Sequence, residues 1–127
     1  MSSTYLVRDV MVKNPVTARQ DETVLDAVKK MAELRIGAIP VVNERGEVVG
    51  IFTERDLLVR VVAKELPLDT RLSKVMTPNP VTIRPDASLE EAKNVMAKIK
   101  ARHLPVVDEE GTLVGVVSLS DIEFSTY

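Results

Sequence analysis

Cysteine and tryptophan are absent from this sequence, and other aromatic side chains are scarce. Its 127 residues include two phenylalanines, two tyrosines and one histidine. Without cysteine the chain cannot form disulfides or thiolate metal sites, and one histidine cannot build a histidine-rich metal site. No carboxylate pair has a recognisable catalytic spacing, so little is left for acid–base or nucleophilic catalysis. We therefore predict that the protein is not an enzyme and requires no cofactor, and that its core is built from Val, Ile, Leu, Met and Ala.

Long apolar runs and a strong excess of either charge are also missing. No stretch approaches about 18 consecutive apolar residues, the length of a membrane span, and residues 1–6 lack the basic and apolar regions of a signal peptide. The net charge is −2, with ten basic and ten acidic side chains in residues 1–65 and seven and nine in residues 66–127. General nucleic-acid binding needs a basic footprint that neither half provides. We expect a cytoplasmic protein that binds neither membranes nor nucleic acids.

What the sequence does contain is an internal repeat. Residues 7–57 align with residues 72–122 at a constant offset of 65 positions, and nineteen of the fifty-one aligned pairs are identical. A repeat of this length predicts two copies of one structural unit. The identical pairs include Val10/Val75, Met11/Met76, Asn14/Asn79, Pro15/Pro80, Val16/Val81, Thr17/Thr82, Ala27/Ala92, Met31/Met96, Pro40/Pro105, Gly46/Gly111, Gly50/Gly115 and Asp56/Asp121.

Each copy predicts the element order β-α-β-β-α. A short strand follows the Asn-Pro pair, at residues 16–18 and 81–83. The first helix comes after an N-cap hydroxyl, Thr23 or Ser88. Its apolar residues recur at helical spacing, and they are Val24, Ala27, Val28 and Met31 in the first copy and Leu89, Ala92, Met96 and Ile99 in the second.

A β-hairpin and a second helix complete each copy. The hairpin strands are apolar runs joined by a turn with Gly46 or Gly111. Gly50 and Gly115 lie inside strands, where a missing side chain permits close approach by backbone or ligand. The second helix starts at Thr53 in the first copy and at Ser118 in the second.

The hairpin strands are nearly continuous in apolar residues, a pattern typical of strands covered on both faces. One copy of about fifty residues is too small to cover them alone. We therefore predict an α/β fold in which two β-α-β-β-α repeats, 7–62 and 72–124, pack about a pseudo-twofold axis, with residues 63–71 as the connection. The apolar stripes of the helices are too wide to be covered within one pair, which predicts a homodimer built from helix–helix contacts.

These residues resemble the CBS domain, the family named after cystathionine β-synthase. The first copy carries Asp9-Val10-Met11, Pro15-Val16-Thr17, Ile39-Pro40-Val41-Val42, Val49-Gly50-Ile51 and Thr53-Glu54-Arg55-Asp56. The second carries Val75-Met76, Pro80-Val81-Thr82, Leu104-Pro105-Val106-Val107-Asp108, Leu113-Val114-Gly115-Val116-Val117 and Ser118-Leu119-Ser120-Asp121. The ordered set occurs twice and covers about residues 7–124.

The resemblance implies a tandem CBS pair, or Bateman module. Such pairs sense AMP, ADP, ATP, S-adenosylmethionine or NAD in clefts between the two repeats, and AMP, ADP and ATP are the ligands we expect first. A regulatory module of this kind acts on another protein, whose identity the sequence does not give. The alternative is a ligand-free assembly or adaptor module in which the same residues serve as helix caps and packing.

The resemblance also implies ligand-binding residues, each with an alternative structural role. The ribose would be bound by Thr53, Asp56, Ser118 and Asp121, which could equally be helix caps. The phosphates would be bound by Arg55, Arg102, His103 and Ser120, which could be solvated surface residues. Because Gly37 and Ala38 are the repeat partners of Arg102 and His103, only the second copy offers positive charge there. The adenine pocket would be lined by residues that could also be core: Val16, Thr17, Ile39, Pro40, Val81, Thr82, Leu104 and Pro105.

Overall fold

The computed structural model describes residues 5–125, which form two compact units. The central unit consists of residues 16–80, and the terminal unit combines residues 5–15 with residues 81–125. Both units mix helices with a three-stranded sheet, which confirms the predicted α/β fold class. The units and the sequence repeats divide the chain differently, because the segment before each Asn-Pro pair packs with the other copy.

The helices and strands follow one another in nearly the same order in each copy. One feature breaks the similarity: the short helix α3 continues as a π-helical segment, Leu57–Val62. In chain order the elements are α1 Val7–Val10, β1 Val12–Lys13, α2 Val24–Leu34, β2 Ala38–Val42, β3 Val48–Thr53, α3 Glu54–Asp56, α4 Leu72–Val75, β4 Thr77–Pro78, α5 Leu89–Ile99, β5 His103–Val107, β6 Leu113–Ser118 and α6 Leu119–Ser125.

Each sheet has a predicted hairpin and a third strand that the sequence did not reveal. In the central unit the order is β2-β3-β4, and in the terminal unit it is β1-β6-β5, with antiparallel pairing throughout. The third strands, β1 and β4, are two residues long and precede the Asn-Pro pairs. The registers match across the repeat, since Thr77 faces Ile51 and Val12 faces Val116.

The predicted first strands, at residues 16–18 and 81–83, are reduced to a single parallel bridge each. Ala18 bridges Val41, donating its N–H to the Pro40 carbonyl at 2.9 Å, and Ile83 is bound in the same way through Pro105. The next rung of a parallel ladder would need an N–H from Pro40 or Pro105, and proline has none. The same proline in both copies therefore ends the ladder on the N-terminal side of this bridge.

The predicted caps of α2 and α5 are confirmed. Thr23 Oγ1 accepts the Asp26 N–H at 3.1 Å, and Ser88 Oγ accepts the Glu91 N–H at 3.0 Å. In return, the Thr23 backbone N–H donates to Asp26, and this bond lowers the pKa of the Asp26 carboxyl below its ordinary value of 3.8. The prediction that Ile99 belongs to the apolar stripe of α5 is wrong, because Ile99 is exposed in the last turn of this helix.

The glycines behave as their positions predicted. Gly46 and Gly111 have φ values of 79° and 82°, the left-handed region that a hairpin turn uses and that glycine adopts without strain. Gly50 and Gly115 lie under a methionine from the third strand's segment. A Cβ on Gly50 would come 2.5 Å from Sδ of Met76, and a Cβ on Gly115 would come 2.6 Å from Sδ of Met11. These glycines thus allow the third strand of each sheet to approach.

Each unit has its own apolar core. The central core contains Phe52, the largest fully buried side chain among the described residues, and the terminal core includes Val7, the first residue of α1. Met31 and Met96 lie in the two cores, as predicted. Across residues 5–125, none of the helices is both long and apolar enough to cross a membrane.

Candidate functional site

The four predicted ribose-binding residues form two equivalent helix starts. The Asp56 N–H donates to Thr53 Oγ1 at 3.1 Å, and the Thr53 N–H donates back to Asp56 Oδ2 at 3.0 Å. Asp121 and Ser118 make the same two bonds at 3.0 and 3.1 Å. The helix-cap interpretation of these residues is therefore confirmed, and a cap uses only part of a carboxylate's capacity to accept hydrogen bonds.

The two carboxylates differ in what surrounds them. Asp56 is only 6% exposed, whereas Asp121 is partly buried. Thr77 Oγ1 donates to Asp56 at 3.1 Å from Oδ1 and 3.3 Å from Oδ2, and Arg60 Nε lies 3.3 Å from Oδ1. Within residues 5–125, the Asp121 side chain accepts one hydrogen bond, which the Ser118 backbone N–H donates.

The predicted phosphate-binding residues of the second copy lie at one end of the terminal unit's hairpin. His103 is the first residue of β5 and faces Ser118, the last residue of β6. The Arg102 carbonyl accepts the Leu119 N–H at 2.8 Å, which ties the residue to the start of α6. The Arg102 side chain is exposed and His103 is partly buried. Arg102, His103, Ser118 and Asp121 are therefore brought together by the hairpin end and the helix start.

The first copy repeats this backbone arrangement without the side chains. The Gly37 carbonyl accepts the Glu54 N–H at 3.0 Å, and Ala38 faces Thr53 across β2 and β3. Neither Gly37 nor Ala38 has a polar side chain. Arg55 and Ser120, which follow the helix starts of the two copies, are both exposed.

The eight residues predicted to line an adenine pocket fall into two groups. Val16 and Val81 are 39% and 46% exposed, and the threonines that follow them, Thr17 and Thr82, are also accessible. The other four residues are buried, and they are Ile39, Pro40, Leu104 and Pro105. Ile39 and Leu104 have no exposed surface. Ile39 and Leu104 pack in the two cores, and a ligand could reach any of the four buried residues only through their backbone or after a rearrangement.

Two further kinds of site were considered within the described part of the chain. Within residues 5–125 no three His, Asp or Glu side chains are grouped so as to hold a metal ion. A shallow groove in the central unit lies between the loop at Arg19 and the hairpin turn at Arg45, and none of its lining residues is a predicted ligand contact.

The roles of three residues in the segments before the Asn-Pro prolines were not predicted from the sequence. Asn14 and Asn79 have left-handed φ values of 49° and 46°, which asparagine tolerates better than most residues. Their identity in the two copies, each before a proline, was the available signal. Thr77 was missed as a partner of Asp56 because the two residues are 21 positions apart and meet only in the folded unit.

Comparison with known proteins agrees with this architecture. The CBS domain family model matches residues 7–63 and 72–123. The chain is 38% identical over 116 residues to the CBS domain-containing protein YhcV of Bacillus subtilis, covering 91% of this chain and 81% of the relative. An uncharacterized protein of Methanopyrus kandleri is 36% identical over 117 residues, which are 91% of this chain but only 60% of that protein.

Solved structures give the same result. The CBS domain pair of protein MJ0100, in complex with 5′-methylthioadenosine and S-adenosyl-L-methionine, has a TM-score of 0.90 and 29% identity, covering 98% of this chain and 97% of that one. CBSX2 in complex with AMP has a TM-score of 0.84 and 27% identity, covering 96% of each chain. The chain therefore belongs to the CBS domain family and carries two CBS repeats.

Proposed function

We propose that this protein is a ligand-sensing regulatory module that binds an adenosyl compound, with AMP, ADP or ATP as the first candidates, and acts on a separate partner protein. The observation that carries the proposal is the group formed by Arg102, His103, Ser118 and Asp121. Related CBS pairs bound to AMP or to S-adenosylmethionine support the class of ligand.

The chemistry of the group fits a nucleotide in two parts. An ionised Asp121 can accept hydrogen bonds from both hydroxyls of a ribose, since an anionic acceptor forms the stronger kind of hydrogen bond. Arg102 carries a fixed positive charge whose planar fork can meet a phosphate with two parallel bonds. His103 lies on the same hairpin end as a further donor, and its charge depends on pH.

Two substitutions test the proposal. Arg102→Ala is expected to weaken AMP by about 1.5–3 kcal/mol, the range for a hydrogen bond to a charged group, and to change adenosine binding much less. Asp121→Ala is expected to weaken both ligands alike, because both contain ribose. Isothermal titration calorimetry with AMP and adenosine measures these effects.

The matched control is Arg45→Ala, an exposed arginine in the hairpin turn of the first copy that is not a predicted ligand contact. Equal losses for AMP and adenosine in Arg102→Ala would show that Arg102 does not contact phosphate. No loss in Asp121→Ala would leave this residue as a helix cap alone. If AMP, ADP, ATP, S-adenosylmethionine and NADH all fail to stabilise the wild-type protein, the result would favour the ligand-free assembly module.

We further propose that the protein is a homodimer formed through helices. The segment that follows α3 exposes three apolar side chains at helical spacing, Leu58, Val59 and Val62, with exposed fractions of 63%, 48% and 56%. In the terminal unit Phe124 of α6 is 80% exposed. Exposed apolar side chains that lie next to one another commonly mark a surface that contacts another protein chain.

The dimer is tested by light scattering. The wild-type protein is expected to have twice the mass of one chain at micromolar concentrations, and Leu58→Asp is expected to shift it towards one chain because a charge would be buried in the contact. Leu25→Asp, which alters a 38% exposed leucine of α2, is the comparison. A monomeric wild-type protein across this concentration range would contradict the proposal.

A further inference from the structure

The two repeats contain the same carboxylate in the same helix cap, but the surrounding side chains cover only one of these carboxylates. An ionised carboxylate has about four positions at which it can accept a hydrogen bond. At Asp56 both oxygens are engaged: the Thr53 N–H donates to Oδ2, the single Thr77 hydroxyl proton lies between Oδ1 and Oδ2, and Arg60 Nε forms an ion pair with Oδ1 at 3.3 Å. At Asp121 the Ser118 N–H occupies one position on Oδ2.

The difference comes from two substitutions between the copies. The repeat partner of Thr77 is Val12, and the matching registers in the two sheets place both residues at the same point of their third strand. Valine has nearly the shape of threonine but has no hydroxyl to donate. The same offset of 65 positions, extended three residues beyond the aligned range, pairs Arg60 with Ser125, whose short side chain donates to the Ile122 carbonyl at 2.7 Å instead.

The closing contacts at Asp56 are also held in place from a second direction. Arg60 bonds the Met76 carbonyl at 3.3 Å while its Nε approaches Asp56, so the guanidinium joins the π-helical segment to the start of β4. Met76 is itself buried over Gly50. A ribose hydroxyl could reach Asp56 only by displacing Thr77 or Arg60 from a carboxylate that is 6% exposed.

We infer that the protein binds one adenosyl ligand per chain, at Asp121, and that Thr77 and Arg60 close the equivalent carboxylate Asp56 to ribose. The inference rests on the proposed function, since it assumes that these carboxylates are ribose acceptors. It identifies the residues that set the number of sites: a donor at position 77 and a cation at position 60 close a site, and Val12 and Ser125 leave the other open.

The repeat supplies reciprocal variants for the test. Thr77→Val/Arg60→Ser gives the first copy the residues of the second, and Val12→Thr/Ser125→Arg gives the second copy those of the first. Calorimetric titration of the full chain with adenosine avoids any contribution from phosphate contacts. We expect one site per chain in the wild type and a second site in Thr77→Val/Arg60→Ser. In Val12→Thr/Ser125→Arg we expect at least a tenfold weaker affinity.

Each outcome bears on a different claim. Two sites of similar affinity in the wild type, or undiminished binding in Val12→Thr/Ser125→Arg, would overturn the inference and leave the proposed function standing. No adenosine binding to the wild type or to either double variant would contradict the proposed function and the inference with it. If Thr77→Val/Arg60→Ser does not fold, the wild-type stoichiometry and the other double variant still decide the question.

Discussion

Phe52→Ala is expected to lower the free energy of unfolding by about 3–5 kcal/mol, the range for removing a fully buried aromatic side chain. Phe52 lies in β3 with none of its surface exposed, in the core of the central unit. The substitution removes apolar contacts with both helical and strand residues and leaves a cavity that the surrounding backbone fills only in part. Urea denaturation followed by circular dichroism measures the effect.

Phe124→Ala is the matched control, because it deletes the same side chain at a position that is 80% exposed. Its effect in a dilute solution of single chains is expected to stay within about 0.5 kcal/mol. A loss at Phe124 that grows with protein concentration would identify this residue as part of an interface between chains. A loss below about 1 kcal/mol in Phe52→Ala would contradict the described core.

Val7→Asp is expected to destabilise the terminal unit by about 3–5 kcal/mol, since it places an uncompensated charge at a fully buried position. Val7 begins α1, is 0% exposed and packs in the terminal core. Its N–H donates to the Ala87 carbonyl at 2.8 Å, which joins α1 to the residue just before the N-cap of α5. The substitution should therefore increase the rate of amide hydrogen exchange more in β5 and β6 than in β2 and β3.

The repeat partner Leu72 gives the reciprocal experiment. Leu72 is also fully buried, and it packs in the central core. Leu72→Asp should increase exchange in β2 and β3 first. If Val7→Asp instead acts mainly on β2 and β3, the segment before each Asn-Pro pair belongs to its own repeat and the described exchange of segments is wrong.

The sequence allowed most of the secondary structure to be predicted, because the signals were local and appeared twice. The N-cap hydroxyls Thr23 and Ser88, the turn glycines Gly46 and Gly111, and the apolar hairpin strands each follow from short-range chemistry. The third strands could not be predicted in this way. They are two residues long, and neither Val12–Lys13 nor Thr77–Pro78 has an apolar pattern that distinguishes a strand from a loop.

The candidate site divides along the same line. The Thr-x-x-Asp and Ser-x-x-Asp caps were readable as caps, and Arg60 stands four residues after Asp56, a spacing that brings opposite charges together on a helix. The contact between Thr77 and Asp56 depends on β4 pairing with β3, so it needs the tertiary structure. The burial of Ile39 and Leu104 likewise depends on which strand face meets the helices. A strand covered on both faces has no alternation of apolar and polar residues from which that face could be predicted.

The placement of α1 and β1 in the terminal unit has a consequence for the order of folding. During synthesis, residues 16–80 have all of their own unit's partners as soon as they leave the ribosome. The segment made before them finds its partners only after residues 81–125 have been added, and closing so long a loop carries an entropic cost that rises with the logarithm of its length. After β6 has formed and before that loop closes, the edge of β6 is open, and in a concentrated refolding mixture it can accept the same segment from a neighbouring chain.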